Sequence, residues 1–304
     1  MPAYTLRQLE YFVAVGETGS VSRAAARVHL SQSAMSTAIA DLERLLSVQL
    51  VMRHHAKGIT LTAAGAELLH EARRLLSQAE DLQLSASLLG EAVAGRLTLG
   101  CFTVLAPYVL PALLSASTAA YPDLTVETTE EPLDQLTAGL RDGRVELAIG
   151  YDIDLGPGLD IHPLFTVPPH VVLPADHRLA RRRRVSLAAL ADEPLILLDL
   201  PHSRDYFARL FATAGVQPKI AYRTQSADMA RALVARGGGY CVLNLRPRSA
   251  VSVDGRPYAM VPLDAQLPAA ISDLTVVLMH LHGVRLTRRV QAVIELAAEA
   301  ITSA

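Results

Sequence analysis

The chain has 304 residues, enough for two domains at roughly 100–200 residues each. A hydrophobic fraction of 51% with 19% charged residues describes a globular protein and excludes a mainly disordered one. The formal charge of −2 excludes a global positive field, so any grip on nucleic acid has to come from a local patch.

The first predicted helix is LRQLEYFVAV, where Leu6, Leu9 and Val13 recur at helical spacing and Gly16 and Gly19 punctuate the end. Ser20 then caps VSRAAARVHL, an alanine-rich helix with Ala24, Ala25 and Val28 on one side. After His29 and Leu30, Ser31 caps a third helix over 31–46, whose Met35, Ile39 and Leu42 form a buried stripe. Its leading face carries Gln32, Ser33, Ser36 and Thr37, small uncharged groups that both donate and accept hydrogen bonds. Such an edge suits the DNA major groove, where glutamine contacts adenine and serine suits several bases. Two short helices joined by a tight turn make a helix-turn-helix. LVMRHHAKGITLT follows as a β-hairpin carrying Arg53, His54, His55 and Lys57, a basic element suited to gripping phosphates. The competing reading is a small helical bundle with a solvated polar face.

From Thr62 to about residue 92 no proline interrupts the helical pattern. Leu68, Leu75, Leu82 and Leu89 recur every seven residues, and Ala72, Ala79 and Ala86 fall four after the first three. Leucine and alanine alternating in this way form a narrow seam for helix–helix contact. A helix of about 30 residues spans roughly 45 Å, too long to stand alone in solvent, which favours dimerisation over folding back.

From about residue 96 short strands alternate with helices, the pattern of strand–helix–strand units around a largely parallel sheet. RLTLGC, LTVETTE and ELAIGY are strands of a first half; HVVLP, PLILLDL, KIAYRT and GYCVLNL belong to a second; LTVVLMHL precedes a closing helix. Small ligands of open α/β sheets sit at the carboxyl ends of strands, against helix N-termini. That rule selects Thr103, Tyr151 with Asp152, Pro201, His202 and Ser203, Gln225 and Ser226, and Asn244 with Arg246. Arg246 suits a carboxylate and His202 a pH-dependent contact, whereas Glu130, Glu131 and Asp152 oppose an anion, so the ligand's charge stays open.

Other motifs carry less. Arg181–Arg184 reads as a solvated loop, and Gly237–Gly239 precedes a strand rather than opening a phosphate-binding helix. The ten histidines form no recognisable metal-ligand set, and Cys101 and Cys241 lie in apolar strands as inert thiols. No catalytic constellation can be placed, so no enzyme is expected. With no 18-residue apolar run, no secretory signal and two cysteines, the expected compartment is the cytoplasm, without a membrane partner.

LRQLEYFVAV, SVSRAAARVHLSQSAMSTAIADLE and LVMRHHAKGITLTAAG resemble the winged helix-turn-helix of LysR-type transcriptional regulators, and the order of the remaining elements extends the resemblance over nearly the whole chain. Ser47 and Val51 depart from it, standing where the family usually has glycine and phenylalanine. The resemblance implies an α/β chain of three parts. These are a winged helix-turn-helix at 4–61, a linker and dimerisation helix at 62–92, and a periplasmic-binding-protein-like (type 2) effector domain at 93–304. Lobe I of that domain would cover about 93–165 and 268–304, and lobe II about 166–267.

The resemblance further implies that Gln32, Ser33, Ser36 and Thr37 face bases while Ser31, Arg53, His54 and Lys57 contact the DNA backbone. It has Leu68, Leu75, Leu82 and Leu89 pair antiparallel in a homodimer, with a homotetramer above it and RNA polymerase as a further contact. It places Thr103, Tyr151, Pro201, His202, Ser203, Ser226, Asn244 and Arg246 around an effector between the lobes, with no cofactor besides that effector. The alternatives are an effector-independent DNA-binding protein that uses its α/β part for oligomerisation, and a small-molecule carrier or enzyme with an accessory N-terminal domain.

Overall fold

The computed structural model describes residues 4–54, 58–87, 93–264 and 273–301, without the side chains of residues 53, 54, 81 and 83–87. Helix α1 (Leu6–Thr18) opens with a capping box in which Thr5 and Gln8 satisfy each other's backbone N–H groups. It buries Leu9, Phe12 and Val15. The stripe therefore differs from the one read in the sequence: Leu6 is exposed and Val13 only half-buried, because α1 turns its Phe12 side toward the domain core. Helices α2 (Val21–Arg27) and α3 (Gln32–Leu46) are capped by Ser20 and Ser31, and α3 buries the anticipated Met35, Ile39 and Leu42.

Strands β1 (Val51–His54) and β2 (Gly58–Leu61) pair antiparallel, with Val51 opposite Leu61. The Glu43 carboxylate fixes where the hairpin starts, accepting the Leu50 and Val51 N–H groups at 2.7 and 3.0 Å. Linker helix α4 (Ala63–Ser87) begins at Thr62, whose hydroxyl accepts from Gly65 N at 2.9 Å. A Cβ on Gly65 would lie 2.0 Å from the Leu50 carbonyl oxygen, so only glycine lets α4 start against the hairpin. Gly16 has a similar role, since a Cβ there would press on Leu69 at 3.0 Å where α4 crosses α1.

The α/β part comprises β3 (Gly95–Phe102), α5 (Ala106–Ala120), β4 (Leu124–Glu131), α6 (Leu133–Arg141), β5 (Leu147–Tyr151) and β6 (Leu159–Val167). It continues with β7 (His170–Pro174), β8 (Pro194–Leu198), α7 (Pro201–Thr213), β9 (Lys219–Thr224), α8 (Ala227–Ala235), β10 (Cys241–Leu243) and β11 (Tyr258–Pro262). Strand β12 (Leu274–Leu281) and helix α9 (Arg288–Ile301) complete it. The first lobe is a five-stranded sheet in the order β4-β3-β5-β12-β6; the second holds β10-β7-β11 and the β8–β9 pair. β3 runs parallel to β4 and β5, but β12 is antiparallel to β5 and β6, and β7 to β10 and β11. The sheets are thus mixed rather than largely parallel.

Two strands, β6 and β11, escape the sequence pattern. In β6, Pro163 breaks the alternation, and the structure accommodates it on an edge strand where the register shifts opposite Val276 and Val277. The chain crosses between lobes after Val167 and returns before Leu274, and one continuous apolar cluster runs through both lobes.

Lobe I also meets the linker helix. Arg73 of α4 pairs with Glu17 of α1 at 3.3 Å and donates to the Asp142 carbonyl at 2.8 Å. One turn further along α4, Ser77 and Arg289 converge on Glu146 at 3.3 and 2.9 Å.

Candidate nucleic-acid interface and interlobe cleft

The leading turn of α3 stands clear of the domain core. Ser31 accepts from Ala34 N at 3.1 Å as the N-cap, and its hydroxyl also meets that of Ser33 at 3.0 Å. Gln32, Ser33 and Thr37 are exposed and Ser36 is half-buried. Thr37 donates back to the Ser33 carbonyl at 3.1 Å. The face is therefore an uncharged edge of hydroxyls and one amide, backed by Met35 and Ile39, on the second helix of a helix-turn-helix. The hairpin lies directly after it. The backbone positions of Arg53 and His54 are in β1, opposite Ile59 and Gly58; their side chains, and Lys57 and His55 altogether, lie outside the described residues.

Of the leucine series, Leu68 is half-buried and packs against the N-terminal core together with Ala72, which is buried. Leu75 is 38% exposed and Leu82 is 72% exposed, while Leu89 lies outside the described residues. The seven-residue series is thus divided. Its first turns close the chain's own N-terminal domain and its later turns present leucine to solvent.

Between the lobes lies a cleft of about 1610 Å³. Thr103, Ser226, Asn244 and Arg246 line it, as does Gln225. Tyr151, Pro201, His202 and Ser203 do not. Tyr151 is buried behind the cleft, its ring 5.7 Å from that of Phe102, and α7 directs its buried face, including Tyr206 and Phe207, into lobe II. Asn244 is held firmly: its amide donates to the Val167 carbonyl at 3.0 Å and to the Tyr206 hydroxyl at 2.9 Å. It therefore joins the end of β10 to the crossover between lobes.

Sequence reasoning missed Tyr108 and Arg231. Each sits about one turn inside a helix whose N-terminal end faces the cleft, so extending the strand-end rule by one helical turn would have found them. Arg231 is buried, pairs with Asp228 at 2.9 Å, donates to the Leu245 carbonyl at 3.0 Å and reaches across to Tyr108. Burial pushes the Tyr108 hydroxyl up from its ordinary pKa, and the neighbouring guanidinium partly offsets this. Desolvation lowers the pKa of Arg246, which has no hydrogen bond or ion pair to another described residue. Arg184 and Arg248 add positive charge to the lining, and Glu130, Asp264 and Asp273 add negative charge.

Just behind this wall, His170 is fully buried in β7 with neither ring nitrogen hydrogen-bonded to a described residue. Burial, then Arg246 and Arg231, push its pKa down to about 3. Two of the cleft-lining arginines, Arg246 and Arg231, thus act on His170, a residue that the strand-end rule did not select.

Comparison with known proteins agrees with this architecture. Residues 6–66 match the bacterial regulatory helix-turn-helix protein, lysR family, and residues 90–302 match the LysR substrate binding domain. The "Probable hydrogen peroxide-inducible genes activator" of Mycobacterium avium is 36% identical over 251 residues, covering 82% of this chain and 80% of that protein. The crystal structure of HinK, a LysR family transcriptional regulator from Pseudomonas aeruginosa, is similar over 99% of both chains, with 35% identity and a TM-score of 0.66. Full-length CbnR in complex with its target DNA is similar over 98% of this chain and 100% of that one, with 25% identity and a TM-score of 0.57. With a reading-helix domain, a linker helix and a two-lobed α/β domain in this order, the chain belongs to the LysR family of DNA-binding transcriptional regulators.

Proposed function

We propose that this regulator reads an interrupted palindrome as a homodimer, within a homotetramer, and changes its DNA geometry when a small molecule occupies the interlobe cleft. The observation that carries the reading is the exposed edge of α3, with Gln32, Ser33 and Thr37 free of the core and the hairpin directly beside it. Gln32, Ser33, Ser36 and Thr37 meet bases, and Ser31, Arg53, His54 and Lys57 hold phosphates on either side. The two-fold symmetry of the dimer sets two half-sites. Similarity to CbnR, a relative solved on its target DNA, supports the same use of the N-terminal domain here.

In the cleft, Thr103 from lobe I and Ser226, Asn244 and Arg246 from lobe II hold the effector, with Tyr108 and Arg231 reaching across. An effector that contacts both lobes favours one lobe arrangement, and the shift it produces equals its difference in affinity for the two arrangements. In this reading the chain acts in the cytoplasm as a regulator and not as an enzyme; that its relatives are named as regulators supports the regulatory role.

Footprinting on the intergenic DNA upstream of the protein's own gene tests the reading. A protected, interrupted palindrome at moderate salt is expected; absence of any protected site would leave the chain as a small-molecule carrier. Thermal unfolding with candidate metabolites tests the cleft, because a ligand selective for the folded state raises the midpoint.

A further inference from the structure

Away from both surfaces, linker helix α4 and lobe I enclose a second cavity of about 80 Å³. Leu140, Val145 and Val290 supply an apolar wall, and His70, Arg73 and Arg74 form the α4 wall. Arg73 is fully engaged by Glu17 and the Asp142 carbonyl. Arg74 pairs with Glu71 only through its outer nitrogen, at 3.1 Å, while its inner Nε is buried with no hydrogen-bond partner among the described residues. His70 Nδ1 is buried and unpartnered in the same way, while its Nε2 lies 3.7 Å from a Glu71 carboxylate oxygen, which favours the doubly protonated ring. It faces Gly143, where even a Cβ would lie 3.4 Å from that nitrogen.

Charge in this lining is uneven. Arg285 adds another cation, and the carboxylate of Glu146 is already taken by Ser77, the Thr98 N–H and Arg289. Two buried, unpartnered nitrogens beside an apolar wall, one of them on a guanidinium, describe a ligand with a negative head and a short hydrocarbon body. A water needs about 10–15 Å³ in the same measure, so this cavity has room for roughly six non-hydrogen atoms.

We propose that the junction between α4 and lobe I binds a small monocarboxylate, its tail against Leu140, Val145 and Val290 and its carboxylate on Arg74 Nε and the Nδ1–H of His70. The two walls belong to different parts of the chain. A bound carboxylate therefore holds the linker helix against lobe I and selects that arrangement over any in which the two separate.

The test is the thermal midpoint of the full chain titrated with sodium butyrate, with ionic strength held constant by sodium chloride. A saturable rise is expected with butyrate, and none with uncharged butyramide or with inorganic phosphate. Arg74→Met keeps the aliphatic stem and should raise the half-saturating butyrate concentration at least about tenfold, while Arg246→Met in the interlobe cleft leaves it unchanged. No saturable rise, an equal response to butyramide or phosphate, or a loss caused by Arg246→Met would each overturn the proposal. The butyramide comparison holds even if Arg74→Met does not fold. None of these outcomes bears on the DNA footprint, so the two readings fail separately.

Discussion

Ser22 on α2 donates its hydroxyl to the side-chain amide oxygen of Gln32 at 3.0 Å, so the first residue of α3 is held by the helix before it. The oxygen keeps a second lone pair and the amide nitrogen keeps its donors, which is what a bidentate contact to adenine uses. Gln32→Ala should cost about 1–3 kcal/mol on the preferred site and relax base choice at that position. Ser22→Ala, which frees the amide without removing it, should cost a smaller part. Arg53→Ala should weaken all sequences alike and flatten the salt dependence. Titrations against matched and scrambled duplexes separate these cases; an equal loss on both duplexes for Gln32→Ala would remove its base-reading role.

At the far end of α3, Glu43 and Ser47 govern how the helix gives way to the hairpin. Glu43 satisfies two backbone N–H groups at once, and Ser47 ends the helix at φ 53°, a left-handed conformation. Glu43→Ala should destabilise the chain by about 1–3 kcal/mol, because both donors lose their acceptor in a half-buried place. Ser47→Gly, which restores the residue usual in the family, should stabilise by about 1 kcal/mol, since glycine adopts that backbone without a Cβ clash. Ser47→Ala should give no such gain. Denaturant midpoints of the three variants check the order.

The N-terminal domain was legible because its signals are local. Ser20 and Ser31 cap helices three residues before the N–H they satisfy, and Met35, Ile39 and Leu42 repeat at helical spacing. The cleft was half legible. Thr103, Ser226, Asn244 and Arg246 follow from strand ends, but the rule is blind to which strand end faces the other lobe, and so it also selected Tyr151 and His202. Tyr108 and Arg231 depend on two helices from different lobes approaching each other, a non-local fact. The β6 strand hid behind Pro163, which local pattern reading counts against a strand and an edge position tolerates.

His170 gives stability a pH dependence with a definite sign. Its pKa is held down at about 3 by burial and by Arg246 and Arg231, against 6.5 in the unfolded chain. Above pH 6.5 the residue is neutral in both states and its contribution is whole. As pH falls from 6.5 toward 3 the unfolded chain takes up a proton that the folded chain refuses, so stability falls by up to about 1.4 kcal/mol per pH unit. Comparing wild type with His170→Leu in denaturant melts at several pH values isolates this slope. Parallel pH profiles for the two proteins would show that His170 takes up its proton in the fold as readily as in the unfolded chain, and would overturn the shift.

The two thiols bear on how far the relatives named as hydrogen peroxide-inducible genes activators inform this chain. Cys101 in β3 and Cys241 in β10 are both buried, and burial pushes Cys241 up to about 12 and Cys101 higher still. Peroxide chemistry at cysteine needs an accessible thiolate, and neither residue offers one. A thiol reagent should label neither cysteine in the native protein within minutes and both in guanidinium. The footprint should be unchanged by hydrogen peroxide, and unchanged again in Cys101→Ala plus Cys241→Ala. Rapid labelling of the native chain would reopen a redox role.

Leu75 and Leu82 are the two leucines of the linker series that α4 presents to solvent, with Leu82 at 72% exposure. Leu68 already serves the N-terminal core, so a charge there should lower the stability of the domain rather than its self-association. A fully buried leucine is worth about 1.5–3 kcal/mol, and in a symmetric dimer each one counts twice. Leu82→Glu should therefore raise the dimer dissociation constant by well over roughly tenfold, and adding Leu75→Glu should leave monomers at micromolar concentration. Light scattering across a dilution series reads this directly, with circular dichroism confirming that the helices persist. If the double variant kept the wild-type mass at every dilution, the contact between subunits would have to lie on the α/β part, and the exposed leucines of α4 would need another explanation.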